Sequence, residues 1–525
     1  MEPSCVQHNL IPGTSRLFSD YLYAFQNVEK FFPAHFSDTQ AITRAVQELN
    51  YPAARRERMA EALARQNAGS RALAQFAQPG TVAVVTGQQV GLFSGPAYTV
   101  FKALTAAKLA EQLKELSISA VPIFWLATED HDLAEVDHAW VFDQDATPAK
   151  LSVTSAVANG GPVGDVELTD VPVADLAHAL GELPFRDEVL NRVKAAYRPG
   201  VRLGTAFREF LSEILKEFGL LFVDPLAVEV RETAIEFVKE VIDNVPGLIS
   251  ALRDRSKELV ASGYHAQVLV EADTSLLFLL AQGKRIPIRW KDGRFVARDR
   301  SYTAAELKGM ADQISPNALL RPVLQDYLLP TVSYVGGPAE IAYLAQSRVL
   351  YDRLLKRMPV IFPRNGFTLL DTRATKLFER YGLHVVDLLD YQEKVKSRMA
   401  ATLVPPGLMQ EFESLHSGVS SSLSKVRANL THFDPTLETA ASKGAAKILY
   451  QIDKLARKTA REAMQRDERA TRDAAYLTNL IYPHRHLQER FYSIVPFLAK
   501  HGLDLPQRIF GESQLSCPDH MIRTF

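Results

Sequence analysis

The 525-residue chain has only two cysteines, Cys5 and Cys517, near its opposite ends. A disulfide framework, a zinc ribbon and an iron–sulfur site are excluded, and no thiol falls within the motifs described below. A charge excess of either sign is lacking too. The chain carries 60 basic against 61 acidic residues, a formal net charge of −1, so nothing global points to a nucleic-acid or membrane-surface partner. No apolar run approaches the ~20 residues of a membrane helix. The N-terminal MEPSCVQHNLIPGTSRLF has neither a basic n-region nor a long apolar h-region, so it does not read as a secretory signal. The expectation is a cytoplasmic protein with a large core in two or three domains.

The densest chemical signal lies between residues 81 and 138. Val82 to Val85 is a β-branched run of buried-strand length. A loop with Gly87, Gly91 and Gly95 follows, then Pro96, which suits a helix's first turn. From Tyr98 to Leu113 apolar residues recur at helical spacing, and Val121 to Ala127 reads as a second buried strand ending in Glu129-Asp130-His131-Asp132. This order predicts a Rossmann-like βαβ unit that binds ligands at the carboxyl ends of its strands. There the glycine loop would offer free backbone N–H groups, and the acidic loop three carboxylates and an imidazole. The glycine spacing matches neither GxGxxG nor GxxxxGKS, so a simple tight turn is the competing reading. The acidic run reads as a solvated loop, a metal site or an acid–base site.

Taken together, VTGQQVGLFSGPAYTVFK and PIFWLATEDHDLAEVDH resemble the cysteine ligase family of bacillithiol biosynthesis, BshC. The resemblance continues at RPVLQDYLLPTVSYVGGPAEIAYLAQ (321–346), PRNGFTLLD (363–371) and PHRHLQERFYS (483–493), covering nearly the whole chain in order. It implies a Rossmann-like α/β core with two connecting insertions and a C-terminal coiled coil used for dimerisation. It also implies the joining of cysteine to glucosaminyl-malate, the last step to bacillithiol. ATP and Mg2+ are the expected cofactors, since amide formation from a free acid is uphill. The core is similar to class I aminoacyl-tRNA synthetases as well, yet no HIGH or KMSKS motif is present.

Such chemistry needs anion-binding amides, a cation, a base for the amine and a clamp for carboxylates. Gly87, Gly91 and Gly95 are candidates for the cofactor-binding amides, and Lys102 for the cation. His131 with Glu129, Asp130 or Asp132 is the candidate base or magnesium ligand. Arg321, Arg364 and Asn365 are candidates for the clamp. Gln88, Gln89, Ser94, Tyr98 and Thr99 from the first motif complete the substrate set, with Tyr334, Gly336, Gly337, Glu340 and Tyr343 from a second strand–Gly-Gly-Pro–helix unit. Glu340 would serve the helix dipole equally well. Two alternatives stand beside the ligase. One is a metal-dependent hydrolase using the EDHD cluster with His138; the other is a scaffold whose helical hairpin is the working part.

The rest of the chain fills in around this core, assigned to residues 1–385. Periodicity predicts three helices before residue 80. Two β-rich insertions are expected near 139–200 and 262–300, the second a meander turning at Gly283 and Asp292-Gly293. Two helices are read between them, from AVEVRETAIEFVKEVI and VPGLISALRDRSKELVASG. A last core strand should end at Arg364-Asn365. Within 386–482, Leu408, Phe412, Leu415, Val419, Leu423, Val426 and Leu430 form a near-heptad seam. HFDP breaks it, and a second helix carries Ile448, Ile452 and Leu455. This hairpin is expected to join two copies into a homodimer. Residues 483–525 return to the core, with Gln488, Glu489 and Arg490 read as structural hydrogen-bonding groups.

Overall fold

Five apolar segments pair into one parallel sheet in the computed structural model of the chain, which describes residues 4–153, 160–390 and 392–525. They are β1 (Val82–Gln88), β2 (Ala120–Leu126), β3 (Leu221–Val223), β4 (Thr331–Gly336) and β5 (Val360–Pro363). Apart from Gln88 they are buried throughout, as parallel strands covered on both faces must be. The spatial order is β5-β4-β1-β2-β3. The chain therefore starts in the middle, builds outward to β3, and crosses back to lay β4 on the other side of β1. That reversal opens a crevice beyond the carboxyl ends of β1 and β4, the usual ligand position in such sheets. Helix α1 (Tyr98–Glu115) follows β1 and helix α2 (Pro338–Leu354) follows β4.

The helices before residue 80 lie against the sheet in a shared core with β1 and β2. The first, Arg16–Tyr23, is shorter than its periodicity predicts, because the chain turns through two short 3-10 segments, Phe25–Asn27 and Glu29–Phe31. The two helices read from residues 227–263 are one, Val228–Ala261, with Pro246 inside it. The missing N–H of Pro246 weakens that turn, but Val241, Ile242, Val245, Leu248 and Ile249 are all buried around it, and this packing carries the helix through.

In the first insertion the β character is confined to the hairpin His138–Phe142 with Pro148–Ser152. Helices Val173–Ala179 and Arg186–Ala196 make up much of the remainder, and residues 154–159 lie outside the described residues. The second insertion is the expected meander. Thr274–Ala281, Lys284–Lys291 and Arg294–Ala297 are joined at Gln282-Gly283 and Asp292-Gly293, all four residues at positive φ, as tight two-residue hairpin turns require. Arg300–Tyr302 and Ile314–Pro316 complete a five-stranded antiparallel sheet.

The segment PRNGF does not simply end the core. β5 stops at Pro363, and Gly366–Leu370 enters a different sheet beside His520–Thr524 and Ser4–Val6. The two ends of the chain thus meet behind the Rossmann core. The sulfurs of Cys5 and Cys517, 512 residues apart in sequence, lie 3.9 Å from one another as free thiols.

Helices Pro406–Phe433 and Glu438–Arg466 pack along each other as the expected hairpin, turning at Asp434-Pro435. Leu415, Val426, Ile448, Tyr450 and Leu455 remain exposed along it. No helix among the described residues is long and apolar enough to cross a membrane.

Candidate active site

The crevice beyond β1 and β4 is a cavity of about 540 Å³, within the range of small-molecule sites. Gly87, Gln88 and Gln89 form one wall, Glu129 and Asp130 the next, and Gly337 to Glu340 the mouth of α2. The meander contributes Phe278 and Arg285, and the C-terminal segment contributes Arg490.

Most charges around the cavity are paired. Lys102 is fully buried beneath the floor, where it donates to the Gly87 carbonyl and meets Glu340 Oε2 at 2.7 Å. Glu340 also accepts from Gly337 N at 2.8 Å and from the Tyr334 hydroxyl at 2.5 Å. Burial opposes the Glu340 charge, but Lys102 and these donors outweigh it and hold the carboxyl below the ordinary glutamate range. Arg364 grips Glu489 through two bonds of 2.9 and 2.5 Å. Glu489 accepts Phe367 N as well. Burial again works against the charge, yet Arg364 and neighbouring His520 bring the Glu489 pKa down to about 2. Arg285 lies 3.8 Å from Asp130, and Arg231 donates to Glu129 at 3.1 Å.

Two cations remain. Arg321 donates only to neutral groups, Gln325 at 3.0 Å, Tyr343 at 3.2 Å and Tyr334 at 3.4 Å. Arg490 is exposed at the mouth, its guanidinium 5.5 Å from the Tyr98 ring centre. Neither has a carboxylate within ion-pair distance among the described residues. Arg321, within the field of Glu340, and the exposed Arg490 thus give the cavity two guanidinium groups with no direct carboxylate partner, a combination suited to an anion. Glu129 is the complementary feature. Burial pushes its carboxyl up to about 7, with Arg231 and Arg285 only partly offsetting the penalty.

Part of the glycine loop's backbone is engaged within the fold. Leu92 N donates to Val136 O, Ser94 N to the Tyr197 hydroxyl, Gly95 N to Leu92 O and Ala97 N to Tyr492 O. Phe93, Ser94 and Gly95 are all at positive φ, and Tyr197 pins the strained turn through Gly91 O as well. These amides are spent on the fold. Gly91 and Gly95 line a second cavity of about 290 Å³ that shares Gln88, Gln89, Tyr98 and Arg490 with the first. Ser94 and Thr99 are fully buried, and the Thr99 hydroxyl has no partner among the described residues.

Several other candidates act as supports. Gln88 donates to the Tyr98 hydroxyl at 3.1 Å, while Gln89 bridges Asp130 at 2.6 Å and Glu135 at 2.8 Å. Asn365 sits behind the cavity, bonded to Thr105 and to Gln514 O. Gly336 is held small by its neighbours, since an added Cβ would come within 3.3 Å of Glu340 and Tyr334. His131 stands on the rim, 43% exposed, with Nδ1 3.1 Å from Arg285; Asp132 leads into the turn Leu133–Glu135. The hydrolase alternative lacks its donor set. His138 turns instead to Asp137 at 2.9 Å, and no group of His, Cys, Asp and Glu among the described residues could hold a metal ion.

Among the lining residues that sequence reasoning missed are three that carry a polar group into the site. Arg285 comes from the meander. Arg490, expected as a structural hydrogen-bonding group, lines the cavity, and its PHRHLQERFYS setting carries the signal. Trp125 belongs to the strand core by sequence, but it lines the cavity and its buried indole N–H has no partner among the described residues. The structural reading of Gln488 holds: its amide spans Leu369 N, Leu369 O and Leu480 O.

Residues 1–365 match the family described as "Bacillithiol biosynthesis BshC, N-terminal Rossmann-like domain", and residues 367–525 match its "C-terminal coiled-coil domain". Similar full-length proteins carry the name "Putative cysteine ligase BshC". That of Solibacter usitatus is 49% identical over 522 residues, covering 99% of both chains. That of Koribacter versatilis is 34% identical over 532 residues, again 99% of both. That of Salinibacter ruber is 31% identical, covering 93% of this chain and 92% of its own.

Proposed function

The chain belongs to the BshC family of bacillithiol biosynthesis, and from that premise we propose that it joins cysteine to glucosaminyl-malate in the pathway's last step. The observation that carries this reading is a pair of arginines with no direct carboxylate partner, Arg321 and Arg490, on one cavity. Glucosaminyl-malate brings two carboxylates on its malyl end, and two guanidinium groups complement that dianion. Its sugar supplies one amine, and cysteine supplies the carboxyl to be activated.

Glu129 is the proposed base. Its carboxyl, raised to about 7 by burial, is half ionised near neutral pH and suited to taking a proton from the attacking ammonium group. ATP with magnesium is proposed as the activating co-substrate on chemical grounds. The amides of Leu92, Ser94 and Gly95 are engaged within the fold and so are not offered to its phosphates. The exposed apolar residues of the hairpin support a homodimer joined through that arm.

Purified protein incubated with cysteine, glucosaminyl-malate and ATP–Mg2+ should yield a product of their combined mass less one water, read by mass spectrometry. Unchanged substrates under those conditions, with malate still bound by the protein, would overturn the assignment.

A further inference from the structure

Cys5 lies in the strand Ser4–Val6 and is exposed; Cys517 is partly exposed in the turn leading to His520–Thr524. Their proximity is built in rather than incidental. Cys5 is in register with Met521, Arg523 donates to Ser4 O at 3.1 Å, and the Tyr23 hydroxyl ties His8 N at 2.8 Å to Asp519 at 2.7 Å. The two sulfurs are held 3.9 Å apart, against the ~2.05 Å of a bond.

We propose that Cys5 and Cys517 form a thiol–disulfide exchange site whose oxidised state staples the two ends of the chain, the oxidant being a low-molecular-weight disulfide. The Cys5 thiolate attacks one sulfur of the small disulfide, forming a mixed disulfide and releasing one small thiolate. Cys517, as thiolate, then attacks the Cys5 sulfur, forming the Cys5–Cys517 bond and releasing the second small thiolate. Two electrons pass to the small disulfide, and the two protons lost by the cysteines end on the released thiols. Cys5 attacks first because it is the more accessible sulfur, while burial raises the Cys517 thiol.

The staple would act on the segment that backs the cavity. Gln514 O accepts from Asn365, and His520 bonds Thr368 at 2.8 Å and faces Gly366 beside Glu489. Oxidation would fix both flanks of this segment, and it would restrict the unfolded chain across almost its whole length.

The test treats the full-length protein with hydroxyethyl disulfide, blocks free thiols, and digests it with trypsin without reductant. The expected result is a cross-linked pair of peptides 1–16 and 509–523 from monomeric chain. A melting temperature above that of the reduced protein should accompany it, with slower amide exchange over 514–524. Cys5→Ser and Cys517→Ser should each abolish the cross-link and the melting shift. Stable mixed disulfides on the separate cysteines, cross-links only between two copies, or a shift that survives in either serine variant would overturn the proposal.

Discussion

Glu489 holds Arg364 through two hydrogen bonds from 125 residues further along the chain, and both side chains are almost wholly enclosed. Arg364 is thereby fixed against the Tyr98 ring, 5.1 Å from its centre, and its charge is already balanced. Removing one partner of such a pair strands the other, so Glu489→Gln should cost about 3–5 kcal/mol in denaturant unfolding. The pH dependence has a definite sign. The folded pKa of about 2 lies below the ordinary 4.5, so the stabilisation is complete above pH 4.5 and is lost as pH falls through about 2. The variant should show a smaller acid-induced loss.

Glu129 predicts the pH–rate profile. Turnover should rise with pH through a midpoint of about 7, and Glu129→Gln should lower kcat/KM by roughly 10²–10⁴-fold and flatten that limb. Its raised folded pKa also means that the carboxylate costs stability, a penalty that grows from pH 4.5 to about 7 and is fully present above it, and that the glutamine avoids. His131→Asn, altered only at the rim, should keep both the limb and most of the activity. A profile that vanishes with His131 instead would return the base role to the imidazole.

Arg321 and Arg490 should separate from the rest in substrate kinetics. Arg490→Ala is expected to raise KM for glucosaminyl-malate roughly tenfold, equivalent to about 1.4 kcal/mol, without changing KM for cysteine. Arg321→Met should have a larger effect, because the arginine it removes is enclosed by Tyr334 and Tyr343. Equal losses for both substrates would argue against a malate clamp.

The hairpin makes an assembly prediction. Leu415 and Leu455 are 49% and 55% exposed on the arm, so Leu415→Glu with Leu455→Glu should convert a dimer to a monomer by light scattering. The melting of the Rossmann core should be unaffected, since neither residue belongs to its apolar clusters.

The parts of this molecule governed by local patterning were readable from the sequence. β1, α1 and β2 follow from an apolar run, a helical period and a second run; the meander turns follow from Gly283 and Asp292-Gly293. What escaped was decided by long-range partners. Nothing around Lys102 reveals that Glu340 lies above it, and nothing around Arg364 points to Glu489. The glycine loop had the right composition for an anion cradle, but Tyr197 and Tyr492, about 100 and 400 residues away, use its groups. Pro246 misled in the opposite direction, because tertiary burial overrode a local breaker.

The sheet formed by Ser4–Val6, Gly366–Leu370 and His520–Thr524 sets an order of events during synthesis. All five strands of the parallel sheet have been synthesised by residue 363, yet Arg364 then has no Glu489 to hold and His520 does not yet exist. A nascent chain can therefore fold its nucleus early while its cavity remains electrostatically unfinished. Competence arrives only when the last few dozen residues emerge and close over the product of the first few.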